Sequence, residues 1–284
     1  MSIKQILKFT KDEFIYGGHL LSLGAASIIF TSAVLLDIKV TWDCLFVTYL
    51  GIQAIYLYDR YKKFEEDILT SPERANHLRK YLKYLPIIIF FIISIFVLIL
   101  LTFDKIYSLL LSFFLLSLGF SYSIVFKDFT KKIGAFKEFF VALCWSFIII
   151  FLIVYYSASL NFSVILIAIF IFLRLLIHEI IFDIKDLIGD KKRKLRTLPI
   201  ITREVELLNI LNLLNILSFL FLFFGFYLEL FPLFSLALLL LIPYSLYSLK
   251  KIKSKKINNN FYYIFIDGEF ILWSVFILLG KILL

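Results

Sequence analysis

Apolar and polar positions along this chain alternate on the scale of whole segments. Nine apolar stretches, at 14–36, 41–58, 84–102, 105–125, 138–157, 160–182, 208–228, 231–249 and 262–283, are separated by links of two kinds. The links after the first, third, fifth and seventh stretches are very short, as at Thr102–Lys105 and Ala158–Ser159. Those after the second, fourth, sixth and eighth are longer and strongly charged. A helix needs about 20 apolar residues to cross the hydrocarbon core of a bilayer. The pattern therefore predicts an all-α polytopic membrane protein, a bundle of nine transmembrane helices with one plain end and one elaborate end. Boundaries read this way are good to about three residues.

Composition agrees. Hydrophobic residues make up 62% of the 284, above the roughly 45–50% of an ordinary globular chain, and mean hydropathy is +0.95. With 18% charged residues a soluble surface could not be covered. The formal net charge of +9 would suggest nucleic acid in a soluble protein, but its placement excludes that partner: 26 of the 30 Lys and Arg fall on the elaborate end. Basic residues are retained on the cytoplasmic side, so the amino terminus and the charged links are predicted inside and the carboxyl terminus outside. Cys44 and Cys144 lie in apolar stretches without partner spacing and read as packing residues. The first stretch is too long for a signal h-region, and no link is long enough for a second domain. A single domain over 1–284 is the expected organisation.

Orienting the chain needs basic residues only, so clustered carboxylates at the elaborate end require another reason. One cluster, after the second stretch, contains Asp59, Glu66 and Asp67 at i, i+7, i+8. The other, at the end of the sixth, contains Asp183, Asp186 and Asp190 at i, i+3, i+7, with Glu179 one turn deeper. Each set shares a helix face. Converging carboxylates repel unless a cation neutralises them, and oxygen-only ligands suit Mg²⁺. Neighbouring Arg and Lys would complete a phosphate clamp, which points to an anionic head group at a membrane interface. Asp12, Glu13, Glu65, Asp128, Glu204 and Glu206 read as solvated acids paired with nearby bases.

Other polar residues lie within spans, where they are costly without a role. Arg174 and His178, at i, i+4, continue the polar face of the sixth stretch inward. Arg174 reads either as partner of Glu179 or another buried acid, or as a substrate contact. His19, beside Gly17 and Gly18, could contact an acceptor or be satisfied by backbone. Asp267 and Glu269 open the ninth stretch and could close a cytoplasmic-side polar cavity.

The sequence resembles the UbiA superfamily of intramembrane prenyltransferases. The most specific match is Asp183-Ile-Lys-Asp186-Leu-Ile-Gly-Asp190 followed by Arg196-Thr197-Leu198-Pro199, similar to the family's second aspartate-rich motif D-x-x-D-x-x-x-D with a downstream T-L. The link from Tyr122 to Trp145, with Lys127, Lys132 and Lys137-Glu138, also looks like the family's. The first motif departs from the usual N-D-x-x-D-x-x-x-D. Ile55 and Tyr56 stand at the Asn and first Asp, Lys63 stands at the last Asp, and Asp67 follows two turns beyond Asp59. Lys194 replaces the glycine usual in the second motif.

The resemblance implies a catalytic role for Asp59, Asp183 and Asp186, and Mg²⁺ held by these with Asp67 and Asp190. It implies prenyl diphosphate oxygens bound by Arg60, Arg74, Lys127, Lys132, Lys137, Lys192 and Arg196. His19, Arg174, His178, Glu179 and Asp267 are candidates for the acceptor or the cavity. The expected function is Mg²⁺-dependent transfer of a prenyl group to a small aromatic acceptor. A terpene cyclase or diphosphate-lyase would use the same fold without an acceptor. A transporter or lipid-binding protein is disfavoured by its proline pattern. Broken spans mark transporters, yet of Pro72, Pro86, Pro199, Pro232 and Pro243 only the last is deep in a stretch.

Overall fold

The computed structural model of the chain describes residues 3–124, 126, 129–254 and 258–283. Every regular element among them is helical. Helix α1 (Ile3–Tyr16) carries Lys4, Lys8, Lys11, Asp12 and Glu13, too much charge to lie in hydrocarbon, and it is bent by 55° from α2 (His19–Leu35). The bend turns through Gly18, whose φ of 89° only glycine adopts without strain. Gln53 pins it by donating to the Gly17 carbonyl at 2.7 Å while accepting from the Ser22 hydroxyl at 2.7 Å. Gln53 belongs to α3 (Trp42–Lys62), which runs on into the short α4 (Phe64–Thr70) and α5 (Pro72–Leu78).

A 3₁₀ turn then leads to α6 (Leu85–Thr102) and α7 (Ile106–Ile124). After α8 (Phe129–Lys132), the fifth apolar stretch is split at Phe147 into α9 (Phe136–Ser146) and α10 (Ile148–Tyr155). Helix α11 (Phe162–Lys185) is followed by α12 (Leu187–Lys192), α13 (Leu198–Ile201) and α14 (Glu204–Tyr227). A 3₁₀ run, Leu233–Leu240, precedes α15 (Leu241–Lys253), and a π-turn, Phe261–Ile266, precedes α16 (Asp267–Leu283).

All nine predicted stretches fall on helices, but they are not equally suited to lipid. Among the described residues six segments are long and apolar enough to cross a membrane unaided, and α2 makes a seventh when taken with α1. The apolar part of α7, Ile106–Tyr122, is shorter. Helix α3 is long enough, but Asp43 and Gln53, both buried in the bundle, and Asp59 and Arg60 near its end make it more polar.

The short links share one construction. Asp37, Asp104, Ser157 and Glu229 have φ of 54°, 53°, 51° and 57°. In each case the following amide reaches back five residues: Ile38 to the Ala33 carbonyl (2.8 Å), Lys105 to Leu100 (2.8 Å), Ala158 to Ile153 (2.9 Å) and Leu230 to Gly225 (3.0 Å). These are four Schellman caps, which satisfy the terminal carbonyls of α2, α6, α10 and α14.

Helix α11 is the central post, packed on α9 and α14, while α2 packs on α3 and α16. Lipid tails are as apolar as Leu, so close packing and interhelical polar contacts hold such a bundle together. The buried Arg174 supplies the most connected contact. Its guanidinium binds Glu269 of α16, Asn215 of α14 (2.5 Å) and Ser245 of α15 (2.8 Å), tying four helices at one level.

Candidate active site

Where α3, α7, α9 and α11 diverge at the elaborate end, they enclose a cavity of ≈ 260 Å³. Its inner walls are apolar, with Leu21, Ile52, Leu115 and Ile148, and aromatic, with Phe140, Trp145 and Phe182. Its mouth is charged, with Asp59, Glu66, Asp67, Glu179, Asp186, Asp190 and Asp267 facing Arg60, Lys63, Arg74, Lys137 and Arg193. The two acidic clusters, more than a hundred residues apart in sequence, therefore meet across one opening. Arg193 bridges them by pairing with Glu66 of α4 and with Asp190 at 2.6 Å. Lys185 adds a second bridge, donating to Ser71 at 2.9 Å and to Asp186 at 2.6 Å.

On the first side Asp59 binds Lys63 at 2.6 Å, with Arg60 at 3.5 Å. Asp67 is buried. Its Oδ1 accepts from Arg60 (3.2 Å) and Arg74 (2.7 Å), and its Oδ2 accepts from Arg74 Nε (3.2 Å). Burial would pull the Arg74 guanidinium down, but the Asp67 carboxylate outweighs it and holds it well above its ordinary range. Tyr56, at the position where the family motif carries its first Asp, donates to the Tyr16 carbonyl at 3.3 Å, and its ring lies 5.0 Å beneath the Arg60 guanidinium.

On the second side Asp183 is fully buried against Lys137. Asp186, beyond the end of α11, is pushed up by burial but held below its ordinary value by the neighbouring Lys185. Buried oxygens without a hydrogen-bond partner remain at Asp183 Oδ2, Asp190 Oδ2 and Glu138 Oε2. Unsatisfied carboxylate oxygens in an oxygen-only donor set fit a hard divalent cation such as Mg²⁺. Among the described residues no three acids, His or Cys converge closely enough to form a ready-made metal group.

Several predicted residues stand elsewhere. Asp183 lies behind the cavity wall, holding Lys137. Lys132 at the end of α8, Lys192 at the end of α12 and Arg196 in the loop before α13 are exposed outside the cavity, and Arg196 donates to the Lys132 carbonyl at 3.0 Å. Lys127 lies outside the described residues. Arg174 meets a buried acid, Glu269, and does not line the cavity. His19 also lies outside it, on a separate apolar groove, with Nδ1 2.5 Å from the Tyr49 hydroxyl and Nε2 3.4 Å from Glu13. His178, Glu179 and Asp267 do line it, and His178 Nε2 is 2.8 Å from Asp267. Arg193 escaped the sequence reading, although its i+3 spacing from Asp190 was a usable signal.

The fold and the site define a polytopic, all-helical membrane protein with a charged cavity at the end of its bundle. The UbiA prenyltransferase family model matches residues 20–275, and the chain belongs to that family. No curated protein sequence matches it. Among solved structures it is similar to the apo form of a UbiA homologue from Aeropyrum pernix K1, at 13% identity and TM-score 0.71, covering 92% of this chain and 96% of that one. It is also similar to a UbiA homologue from Archaeoglobus fulgidus bound to GPP and Mg²⁺, at 14% identity and TM-score 0.69, covering 95% and 98%.

Proposed function

We propose that this chain is a Mg²⁺-dependent intramembrane prenyltransferase that moves a prenyl group from its diphosphate to a small aromatic acceptor. It works as one domain over residues 1–284, with nine crossings, the amino terminus and the cavity mouth on the cytoplasmic side and the carboxyl terminus outside. One observation carries this reading: the charged mouth, assembled from both acidic clusters, opens onto apolar walls, which suits a molecule with a polyanionic head and a hydrocarbon tail. The binding of GPP and Mg²⁺ by the homologue from Archaeoglobus fulgidus supports it.

Arg60, Arg74 and Lys137, joined by Lys63 and Arg193, are positioned to bind the diphosphate oxygens through charge-assisted hydrogen bonds. The tail then lies along Leu21, Ile52, Leu115 and Ile148. Asp186 and Asp190 would hold Mg²⁺, which would supply positive charge to the leaving diphosphate, while Asp59 and Asp67 opposite hold Lys63, Arg60 and Arg74. The allylic C–O bond breaks with its electron pair going to the diphosphate, and fixed cations aimed at those oxygens lower the barrier. Ring faces at Tyr56, Tyr122 and Phe140 offer a surface for the allylic cation. The acceptor's nucleophile forms the new bond and its proton passes to the Glu179 carboxylate, which lines the cavity beside His178.

The test is to incubate purified protein with Mg²⁺ and prenyl diphosphates of several lengths, following diphosphate release with and without phenolic acceptors. Acceptor-dependent release is expected. Asp186→Ala should lower it by about 10²-fold or more, and Lys192→Ala should leave it unchanged. Release without any acceptor would favour the cyclase or lyase. If no diphosphate binds and Asp183→Ala and Asp186→Ala change nothing, the enzyme reading fails.

A further inference from the structure

The two halves of the cavity mouth differ in how their acids are satisfied. On the α3–α4 side, both oxygens of Asp67 are taken by Arg60 and Arg74, and Asp59 is held by Lys63 at 2.6 Å. Arg74 is itself buried and further fixed by Ser71 at 3.1 Å and by the Tyr263 ring at 5.2 Å, so the pair cannot separate without stranding two buried charges. On the α11–α12 side, Asp183 Oδ2 and Asp190 Oδ2 are buried with no hydrogen-bond partner. Resident cations sit on this side too, Arg193 on Asp190, Lys185 on Asp186 and Lys137 on Asp183. They leave one oxygen each of Asp190 and Asp183 without a partner, and of these two acids Asp190 lines the cavity.

Building on the diphosphate-binding reading above, we infer that the cavity takes one divalent ion per chain, held on the α11–α12 side through Asp190 and Asp186. On the α3–α4 side the Lys63 ammonium and the Arg60 and Arg74 guanidiniums do the work of a second ion. Lys63 is suited to this. It lines the cavity, its Nζ lies 5.2 Å from the centre of the Tyr122 ring, and its contact with Asp59 leaves donors available for an anion, since an ammonium carries three. Asp67 is then a positioning residue. It aims Arg74 and Arg60 at the head group and touches no metal. The consequence is a site whose diphosphate affinity depends on side-chain cations on one side and on the metal on the other.

The experiment measures Mn²⁺ bound to the purified full-length chain in detergent, with inorganic pyrophosphate as the probe, by equilibrium dialysis and electron paramagnetic resonance. One Mn²⁺ per chain with the spectrum of an isolated ion is expected. Asp190→Asn should weaken Mn²⁺ binding by about 10-fold or more, whereas Asp67→Asn should leave Mn²⁺ affinity unchanged and weaken pyrophosphate. Lys63→Asp, which restores a carboxylate beside Asp59, should raise the count to two and give a spin-coupled spectrum. Two ions in the unsubstituted chain would overturn the inference while leaving the diphosphate reading intact, as would Asp67→Asn weakening Mn²⁺ as much as Asp190→Asn does. Absence of any pyrophosphate-dependent Mn²⁺ binding would overturn both. Should Asp67→Asn fail to fold, Lys63→Asp and Lys63→Asn, at a half-buried position, carry the test alone.

Discussion

Arg174 illustrates what a single charged residue does inside this bundle. At 1% exposure it has no access to water, and its cost is met by Glu269, Asn215 and Ser245. Removing one partner of such a pair strands the other, typically at about 3–5 kcal/mol, while replacing both with apolar groups is often close to neutral. Arg174→Met is therefore expected to lower the thermal unfolding midpoint in detergent well below that of the double variant Arg174→Met/Glu269→Leu. A double variant as unstable as the single one would show that Asn215 and Ser245 carry the network. Helical spacing put Arg174 on the polar face of its helix and pointed to a buried acid. It could not say which, because Glu269 lies 95 residues further on, where local periodicity has no reach. The site shows the same division. Spacing brought Asp183, Asp186 and Asp190 to one end of the sixth stretch. It did not show that the helix ends at Lys185, which leaves Asp183 behind the wall that Asp186 and Asp190 line. The salt bridges that take Asp183 off the cavity wall to Lys137 and bring in Arg193 depend on how separate helices meet.

At the scale of elements, α1 is fastened to the segment after α3 by Glu13, which lies 2.6 Å from His77 Nε2 and accepts from the Tyr81 hydroxyl at 2.8 Å. Burial alone would raise the Glu13 carboxyl, but hydrogen bonds from His19, His77 and Tyr81 bring it down to about 2. A depressed folded-state value means that the clasp contributes fully above the unfolded value of 4.5 and is lost as pH falls from there toward 2. Hydrogen exchange in α1 is expected to rise over that window, and Glu13→Gln should remove the pH dependence. The Schellman caps allow a second prediction. A left-handed non-glycine residue costs about 1–2 kcal/mol, and glycine gives back roughly half to one in unfolded-state entropy. Glu229→Gly should therefore stabilise the chain by up to about 1 kcal/mol, read from denaturation in mixed micelles; destabilisation would mean that the Glu229 side chain makes a contact worth more than its backbone strain. Hydropathy located these helices but not their interruptions. The break at Phe147 sits in a segment whose composition continues smoothly, so packing sets it, whereas α5 starts at Pro72, a helix-start signal in the sequence.

For the whole molecule, four tight caps lie at one end and the charged cavity at the other, with α11 running between. Basic residues crowd the cavity end, so under the proposed function topology and chemistry would draw on the same charges. The elements that least resemble membrane spans, α3 through its polar residues and α7 through its shorter apolar length, are among those that wall the cavity. A helix with a polar face crosses at low cost when neighbouring helices cover that face, which is the case for Asp43 and Gln53, both buried. Both are therefore expected to cross, and the expectation can be checked element by element. In a background with Cys44 and Cys144 replaced by Ala, single cysteines at the exposed positions Asp37 and Glu65 flank α3, and those at Asp104 and Lys131 flank α7. An impermeant maleimide applied to intact right-side-out vesicles should label Asp37→Cys and Asp104→Cys directly, and Glu65→Cys and Lys131→Cys only after permeabilisation. If both members of either pair react from one side, that helix does not cross, the count falls below nine, and the two acidic clusters could not share a cytoplasmic mouth as proposed.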